Sequence, residues 1–546
     1  MSQSKWEQIS AKARQKVLDD IPAEWKIPQE KLPGDDIRDV TGVAASSGIL
    51  SERELAITDS LATEIVAKVG TGEWKAEEVT VAFCKRAALA HQVTNCLTVI
   101  MFSDAIKRAQ ELDLEFHRTG KPIGPLHGLP ISLKDNFNIT GYPSSVGFCH
   151  WASDPMPQDS TIVSTLLSLG AILYVKTNVP TAMMIAETVN NCYDRTLNPR
   201  NRATTSGGSS GGESALIAFG GSPLGIGTDI GGSLRIPAAC TGIFTLKPSF
   251  GRFPHFDARS ALAGQEAVAS IHGPMARSIA DLKLYAQSVI GTEPWTRDPK
   301  CLEIPWRGAQ EKAVVEVKQN ERKKKPKIAV LWDNGMVRPT PPVTRALRET
   351  VTKLQAKGYE MIEWTAEDHA EAIDLLSKFF LADGGISCEK ILDPVGEPWR
   401  PEMKAYEDAK VATGYEIWQW QKQRTALCKR YLDRWAAVDG LDAILGPTTP
   451  YASPKNGEFR HVGYTGVFNI LDYSAVSFPT GIYVDKEKDV VDLSVQAYGD
   501  VDAQTQSEYD AEVSHGLPIS LQLTGKRLQE EKILALTEML LEDLKS

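Results

Sequence analysis

Residues 207–233 read GGSSGGESALIAFGGSPLGIGTDIGGS and are the most unusual stretch of the chain. Ten of these 27 residues are glycine, where average usage would give about two. Glycine doublets flank two serine positions, Ser209–Ser210 and Ser233. Because glycine tolerates φ > 0 and close backbone approach, such loops leave N–H groups free to converge on one anion. The stretch therefore predicts a serine nucleophile beside an oxyanion-binding site.

The composition is that of a globular protein. Of 546 residues, 42% are hydrophobic and 24% are charged, which is ordinary for a soluble chain. The length predicts roughly three to four domains or one large α/β unit. The net charge of −10 and the pI of about 5.6 argue against a nucleic-acid binder, which normally presents a basic face.

No apolar run approaches the ~18–20 residues of a membrane-spanning helix. Residues 1–20 have mixed charge and no apolar core, so we expect no secretory signal. The eight cysteines are scattered without a C-x-x-C pair, which fits neither a metal site nor a disulfide framework. We therefore expect reduced thiols and a cytoplasmic location.

Helical and strand-like segments alternate along the chain. Apolar periodicity predicts helices over 62–69 and 76–90. Residues 124–137 read as a loop that enters a short strand with Lys134 at its end, and residues 159–178 as a capped helix followed by a strand at 171–175. This alternation predicts a layered α/β fold.

The pattern suggests four parts. We expect an N-terminal helical arm at 1–75 and a core at 76–310, then a helix-rich insert or cap at 311–440 and a return to the same α/β core at 441–546. The aromatic residues of the insert are expected to lie in the core or to line a cavity; they include Trp399, Trp418, Trp420 and Trp435.

Two interpretations of the glycine-rich stretch assign it no catalytic role. A flexible linker is disfavoured because large apolar residues such as Leu216, Phe219 and Ile226 are interleaved with the glycines. A phosphate-binding loop is disfavoured because no lysine follows the glycines, as the Walker pattern requires.

Two interpretations assign it a nucleophile. Residues 207–211 match the G-x-S-x-G elbow, with His369, His461 and His515 as candidate partners, but the preceding residues are not strand-like. Alternatively, a neutral lysine activates the serine. Lys134 ends an apolar run, and burial there would lower its pKa from about 10.4. The residues alone leave both interpretations open.

Six segments together resemble the amidase signature family, and in particular its fungal acetamidase or general amidase branch. The resemblance implies an α/β fold with a central twisted mixed β-sheet covered on both faces by helices. The matching segments are GPLHGLPISLKD (124–135), ETVNN…RTLNP (187–199), GGSSGGE (207–213), GTDIGGSLRIPA (227–238), LKPSFGR (246–252) and GLPISLQLTG (516–525).

The resemblance implies a Ser–cisSer–Lys triad. Carried over by motif, Ser233 is the nucleophile, Ser209 is the bridging serine with a cis peptide bond before it, and Lys134 is the base. The neighbouring Ser210 is then a structural hydrogen-bonding residue.

The resemblance also implies the surrounding site. Backbone N–H groups of Ile230, Gly231, Gly232 and Ser233 would bind the oxyanion, and Met183, with Met184 beside it, would line the substrate pocket. Three further residues would position the triad, namely Thr228, Asp229 and Arg235. The family usually has glycine where this chain has Asp194, so we expect a change in that loop.

The activity implied is hydrolysis of a monocarboxylic acid amide to the acid and ammonia through an acyl-enzyme, with no metal ion and no cofactor. The partner would be a small-molecule amide, with no nucleic acid and no membrane span, and the resemblance suggests a homodimer. Two alternatives stay open: a fatty-acid amide hydrolase-like enzyme for longer acyl amides, and an amidotransferase subunit that acts in a complex.

Overall fold

The computed structural model describes residues 4–34, 36–320, 324–492 and 494–545. Eleven strands within these residues form one sheet in the spatial order β1-β3-β2-β4-β6-β5-β10-β11-β9-β7-β8. The strands are β1 (Leu97–Ile100), β2 (Pro130–Lys134), β3 (Ile172–Thr177), β4 (Leu224–Asp229), β5 (Phe244–Lys247), β6 (Ile271–Ala276), β7 (Lys327–Val330), β8 (Glu360–Glu363), β9 (Leu441–Pro447), β10 (Ala475–Tyr483) and β11 (Pro518–Thr524).

Helices flank this sheet. The described residues contain twenty α-helices: α1 (Lys5–Asp19), α2 (Val43–Ser46), α3 (Glu52–Asp59), α4 (Ala62–Gly70), α5 (Ala76–Thr94), α6 (Phe102–Thr119), α7 (Thr161–Ser168), α8 (Gly211–Ala218), α9 (Arg235–Thr241), α10 (Ile279–Ile290), α11 (Gly308–Gln319), α12 (Pro341–Ala356), α13 (His369–Phe380), α14 (Ile386–Leu392), α15 (Lys404–Glu407), α16 (Gly414–Ala436), α17 (Gly463–Ile470), α18 (Asp500–Glu508), α19 (Ala511–Ser514) and α20 (Glu530–Lys545).

The sheet is mixed, which confirms the predicted α/β class. Strand β2 runs parallel to β3 on one side and to β4 on the other, and β7 runs parallel to β8 and β9. The remaining pairs are antiparallel. Every residue of β2, β3 and β4 is buried, as expected for parallel strands covered by helices.

Strands β2, β3 and β4 bring their carboxyl ends to one edge of the sheet. Lys134 is the last residue of β2 and pairs with Thr177, the last residue of β3. Asp229 ends β4, beside them. Open α/β sheets place their ligands at this edge, so the topology assembles the chemistry-bearing residues of distant motifs.

The local predictions agree with the observed elements. The helices predicted at 62–69 and 76–90 are α4 and α5, and the strand predicted at 171–175 is β3, which begins one residue later and ends two residues later. The last residue of α5 is Thr94, and the residue that caps the helix, Asn95, has a left-handed φ of 54°. Asparagine tolerates this conformation better than most residues, which explains the stop.

The segment predicted as an insert also contributes to the sheet, because β7 and β8 extend it at one edge. The boundaries proposed after residues 75, 310 and 440 stay predictions. Of the four tryptophans, Trp435 is buried and Trp399 and Trp420 are partly buried. The expectation for Trp418 was wrong: it is 70% exposed on α16, because the apolar face of this helix is formed by Leu427, Tyr431 and Trp435 instead.

The N-terminal arm packs on the core. In α1, the Ser10 hydroxyl donates to the Cys192 carbonyl at 2.8 Å, and Arg14 Nε donates to the same oxygen at 2.9 Å. Further along, the Trp25 ring lies 5.5 Å from that of Phe102. The arm therefore supports the loop that precedes the glycine-rich stretch.

Candidate active site

Lys134 contacts the loop that carries Ser209 and the end of β4, the strand that leads into the Ser233 loop. Its Nζ lies 2.7 Å from Ser209 Oγ and 2.6 Å from Thr228 Oγ1. The peptide bond between Gly208 and Ser209 is cis, in agreement with the expectation for the bridging serine. Sequence positions 134, 209 and 228 thus form one hydrogen-bonded cluster at the carboxyl edge of the sheet.

Burial sets the protonation of this lysine. Lys134 is completely buried, and burial lowers its pKa to about 7, although the charges of Asp229 and Glu213 oppose that shift. A buried ammonium is costly unless it is paired. No carboxylate in the described part of the chain is within ion-pair distance of Lys134 Nζ, whose two contacts are hydroxyls. The amine is therefore suited to accept a proton near neutral pH.

The loop that carries Ser233 is held by Asp229. The carboxylate accepts hydrogen bonds from the backbone N–H groups of Gly232 (2.8 Å) and Leu234 (3.1 Å). Its counter-ion is Arg235, whose Nε lies 3.1 Å from Oδ2 in a fully buried ion pair. Burial alone would raise the pKa of Asp229, but the charge and hydrogen bonds of Arg235 hold it at about 2.

Residues from the far end of the chain complete this support. Asn469 Nδ2 donates to Asp229 Oδ1 at 2.8 Å, and Arg235 donates to the side chains of Asn469 (2.6 Å) and Gln522 (3.2 Å). The Thr465 hydroxyl donates to the Gly231 carbonyl at 2.8 Å. Sequence reasoning missed Thr465 and Asn469, because α17 carries no motif and lies more than 200 positions from the serine loops. Gln522 lies on β11 within the matching segment 516–525, but the sequence analysis assigned it no role.

The predicted oxyanion donors differ from one another. The N–H groups of Ile230, Gly231 and Ser233 have no acceptor among the described residues, whereas the N–H of Gly232 donates to Asp229. Glycine is required at position 232, where φ is 138° and a Cβ would collide with Thr465. The hydrogen bond from the Gly232 N–H to Asp229 holds the turn that contains the other three N–H groups.

Ser210 links the two serine loops through its backbone. Its N–H donates to the Ser233 carbonyl at 3.2 Å. Its side-chain oxygen lies 3.3 Å from both the N–H and the carbonyl of Thr228. All of these contacts are to backbone atoms, and the role of Ser210 as a structural hydrogen-bonding residue stays a prediction.

A cavity of about 330 Å³ opens beside Ser233. Ser233 is partly exposed there, while Ser209 and Lys134 lie fully buried behind it. The wall is mostly apolar, with polar groups from Ser377, Tyr406, Arg460 and His461; its apolar residues include Met183, Met184, Ile185, Ile230, Leu376 and Phe380. Met183 and Met184 thus line the same cavity as Ser233, and their contact with the substrate stays a prediction.

The loop with Asp194 keeps a left-handed backbone. The φ of Asp194 is 68°, a conformation that glycine adopts most readily and aspartate tolerates. The side chain accepts a hydrogen bond from the N–H of Arg195 at 2.9 Å. The carboxylate also pairs with Arg14 of α1 at 3.4 Å. The aspartate therefore adds a contact to the N-terminal arm.

The histidines considered for a G-x-S-x-G elbow do not reach the serines. His369 is buried against Tyr431, His461 Nε2 lies 2.6 Å from Asn334 Nδ2, and His515 Nδ1 accepts from the N–H of Lys486. Of these three, only His461 lines the cavity. The geometry therefore favours activation of serine by lysine.

Among the described residues, no group of three or more His, Cys, Asp or Glu side chains is arranged to hold a metal ion. In the same residues, no helix combines the length and hydropathy that crossing a membrane requires.

Comparison with known proteins places the chain in a family. Residues 78–534 match the family model for amidase. The acetamidases of Emericella nidulans and Aspergillus oryzae are each 40% identical; the alignments cover 98% of this chain and 97% and 98% of those proteins, respectively. A solved structure titled fatty acid amide hydrolase is 34% identical, with a TM-score of 0.91 over 99% of this chain and 95% of that one.

The chain belongs to the amidase family. It is a hydrolase that acts on amide C–N bonds, and the members of this family use a Ser–cisSer–Lys triad and an acyl-enzyme.

Proposed function

We propose that the chain hydrolyses the amide of a small monocarboxylic acid to the acid and ammonia, with Ser233 as nucleophile, Ser209 as bridging serine and Lys134 as base. The observation that carries this assignment is the position of Lys134 Nζ, 2.7 Å from Ser209 Oγ at a cis peptide bond. The cavity lined by Ser233 supplies access for the substrate.

The first chemical step forms the acyl-enzyme. Neutral Lys134 takes the proton of the Ser209 hydroxyl, and Ser209 takes that of Ser233 as Ser233 Oγ bonds to the amide carbon. The oxyanion is placed among the N–H groups of Ile230, Gly231 and Ser233, since that of Gly232 is held by Asp229. Each such donor contributes on the order of 3 kcal/mol to the transition state.

The second step releases the products. The protonated Lys134 returns its proton through Ser209 to the amide nitrogen, the C–N bond breaks, and ammonia departs. A water molecule then attacks the acyl carbon while the same relay takes its proton, and the acid leaves as Ser233 regains its hydrogen. Proton transfers balance within each half-reaction, so the proposed cycle needs no co-reactant other than water.

The cavity supports a small acyl group. Its volume of about 330 Å³ lies at the lower end of the ~300–1,000 Å³ typical of ligand pockets. We therefore expect purified protein to release ammonia fastest from short aliphatic or aromatic amides in the series formamide, acetamide, butyramide, hexanamide, benzamide and oleamide. The Ser233→Ala variant should release none above background.

The second candidate, hydrolysis of longer acyl amides, is supported by the apolar wall that Leu376, Phe380 and Met184 form. A rate maximum at oleamide would favour it over the first. Absence of release from every amide would contradict the proposed function and favour an amidotransferase subunit, for which co-purifying partners would then be sought.

The pKa of Lys134 predicts the acidic limit of activity. Because its pKa is about 7, the neutral amine is lost as the pH falls below that value. At pH 5 about 1% of the amine remains neutral, so kcat/KM should be roughly 100-fold below its plateau. The measurement is kcat/KM from pH 5 to 9, with circular dichroism to show that the fold persists. A flat profile down to pH 5 would contradict the role of Lys134 as base.

A cytoplasmic location and a homodimer stay predictions. In the described residues all eight cysteines are free, which agrees with a reducing compartment. The partner proposed is the small-molecule amide.

A further inference from the structure

Glu213 carries a carboxyl group that the proposed cycle does not use. It lies in the first turn of α8 and is completely buried. The Thr177 hydroxyl donates to its Oε2 at 2.6 Å, and the Ser132 hydroxyl donates to its Oε1. Sequence reasoning placed this glutamate in a motif but assigned it no role.

The two hydroxyls locate this carboxyl beside Lys134. Ser132 precedes Lys134 by two residues on β2, so both side chains lie on the same face of the sheet. Thr177 is the residue of β3 that pairs with Lys134. On β4, Gly225 pairs with Ser132, and a Cβ at Gly225 would collide with the Glu213 carboxyl. Because Gly225 has no side chain, the Glu213 carboxyl has space on the face of the sheet that carries Lys134.

The other ionisable groups around this carboxyl do not change their protonation state near neutral pH. Burial raises the pKa of a phenol and two thiols and leaves them neutral; these are Tyr174 on β3, Cys96 ahead of β1 and Cys84 on α5. Asp229, which acts on Lys134 from β4, has its pKa held at about 2 and stays charged.

Lys134 and Glu213 titrate in the same range. Burial lowers the pKa of Lys134 to about 7 and raises that of Glu213 to about 7, and the charge of each group shifts the pKa of the other. The fully protonated pair carries two titratable protons. After one of them has dissociated, the other is distributed between Lys134 and Glu213. With the proton on Glu213 the amine is free to act as base, whereas with the proton on Lys134 it is not.

We propose that Glu213 is a positioning residue of the amide hydrolysis, a buried carboxyl that competes with Lys134 for a proton and thereby sets the acidic limit of activity. The inference rests on the proposed function. A negative charge on Glu213 holds the ammonium form of Lys134, so removal of that charge frees the amine at lower pH.

The test is the pH profile of the Glu213→Gln variant, normalised to its own plateau. Glutamine keeps the volume but cannot ionise; its carbonyl oxygen can accept from one of the two hydroxyls, and its NH2 group can donate to the other. We expect the acidic limb of kcat/KM to move to lower pH by about half a unit to one unit. A limb that stays in place or moves to higher pH would overturn the proposal.

The matched control is Glu397→Gln. Glu397 is also buried, with a pKa raised to about 7 by that burial, but it accepts from the Cys149 N–H and from Asn191 instead. Its variant should leave the limb unchanged, and an equal shift there would overturn the assignment to Glu213. A wild-type protein without any amide hydrolysis would instead refute the proposed function.

Thr177→Val keeps the inference testable if Glu213→Gln fails to fold. The variant removes one hydroxyl that stabilises the ionised carboxyl, so the proton stays on Glu213 to higher pH. The acidic limb should again move to lower pH, by less than in Glu213→Gln. No shift, or a shift to higher pH, would contradict the proposal.

Discussion

Replacement of Ser233 by alanine should reduce kcat for amide hydrolysis by roughly 10⁴-fold or more. The variant removes the oxygen that bonds to the acyl carbon in the proposed cycle. Because Ser233 lies in a turn that is held by backbone hydrogen bonds to Asp229, the fold should persist. The measurement is ammonia release together with the thermal midpoint of unfolding.

The control for this variant is Ser214→Ala. Ser214 is another buried serine, on α8, and its hydroxyl donates only to the carbonyls of Ser206 and Gly211. Alanine suits a helix interior, so this variant should keep kcat within about twofold. A Ser233→Ala protein with wild-type kcat would contradict the nucleophile assignment.

The second large effect is expected for Lys134→Met, which should lower kcat by about 10³-fold, within the range of general base catalysis. Methionine fills similar space without an amine, so the loss measures the proton relay. Both Ser209 and Thr228 would lose a hydrogen-bond partner, so the thermal midpoint of unfolding should also fall.

Lys176→Met is the matched control for that loss. Lys176 is equally buried on β3, and its Nζ donates to the Pro143 carbonyl (2.5 Å) and to Ser144 Oγ (2.7 Å). Burial lowers its pKa to about 8. Its variant should unfold at lower temperature, yet keep kcat within about tenfold. Equal losses of kcat in both variants would show that Lys134 acts only through stability.

The sequence alone was informative wherever a local pattern decides the structure. Alternating helical and strand-like segments predicted the α/β class, and residues 124–137 predicted a short strand with Lys134 at its end, which is β2. The resemblance supplied the choice of Ser209 and Ser233 among several serines. The cis bond before Ser209 and the contact with Lys134 agree with that choice.

Other parts of the site depend on contacts that no local pattern encodes. Thr465 and Asn469 reach the Ser233 turn from a helix far along the chain. Gly232 was predicted as an oxyanion donor, but its N–H is held by Asp229, a competition that only the folded turn reveals. The role proposed for Glu213 likewise depends on burial beside Lys134, which sequence spacing does not predict.

The most direct test of the account is to locate the acyl group in the intermediate. Protein mixed with a slowly hydrolysed amide or ester is quenched with acid during turnover, digested with trypsin and fragmented in a mass spectrometer. The peptide 203–235 contains Ser209, Ser210 and Ser233, so fragmentation separates these candidates. The account predicts an acyl group on Ser233 alone. An acyl group on Ser209 or Ser210, or none during turnover, would contradict it.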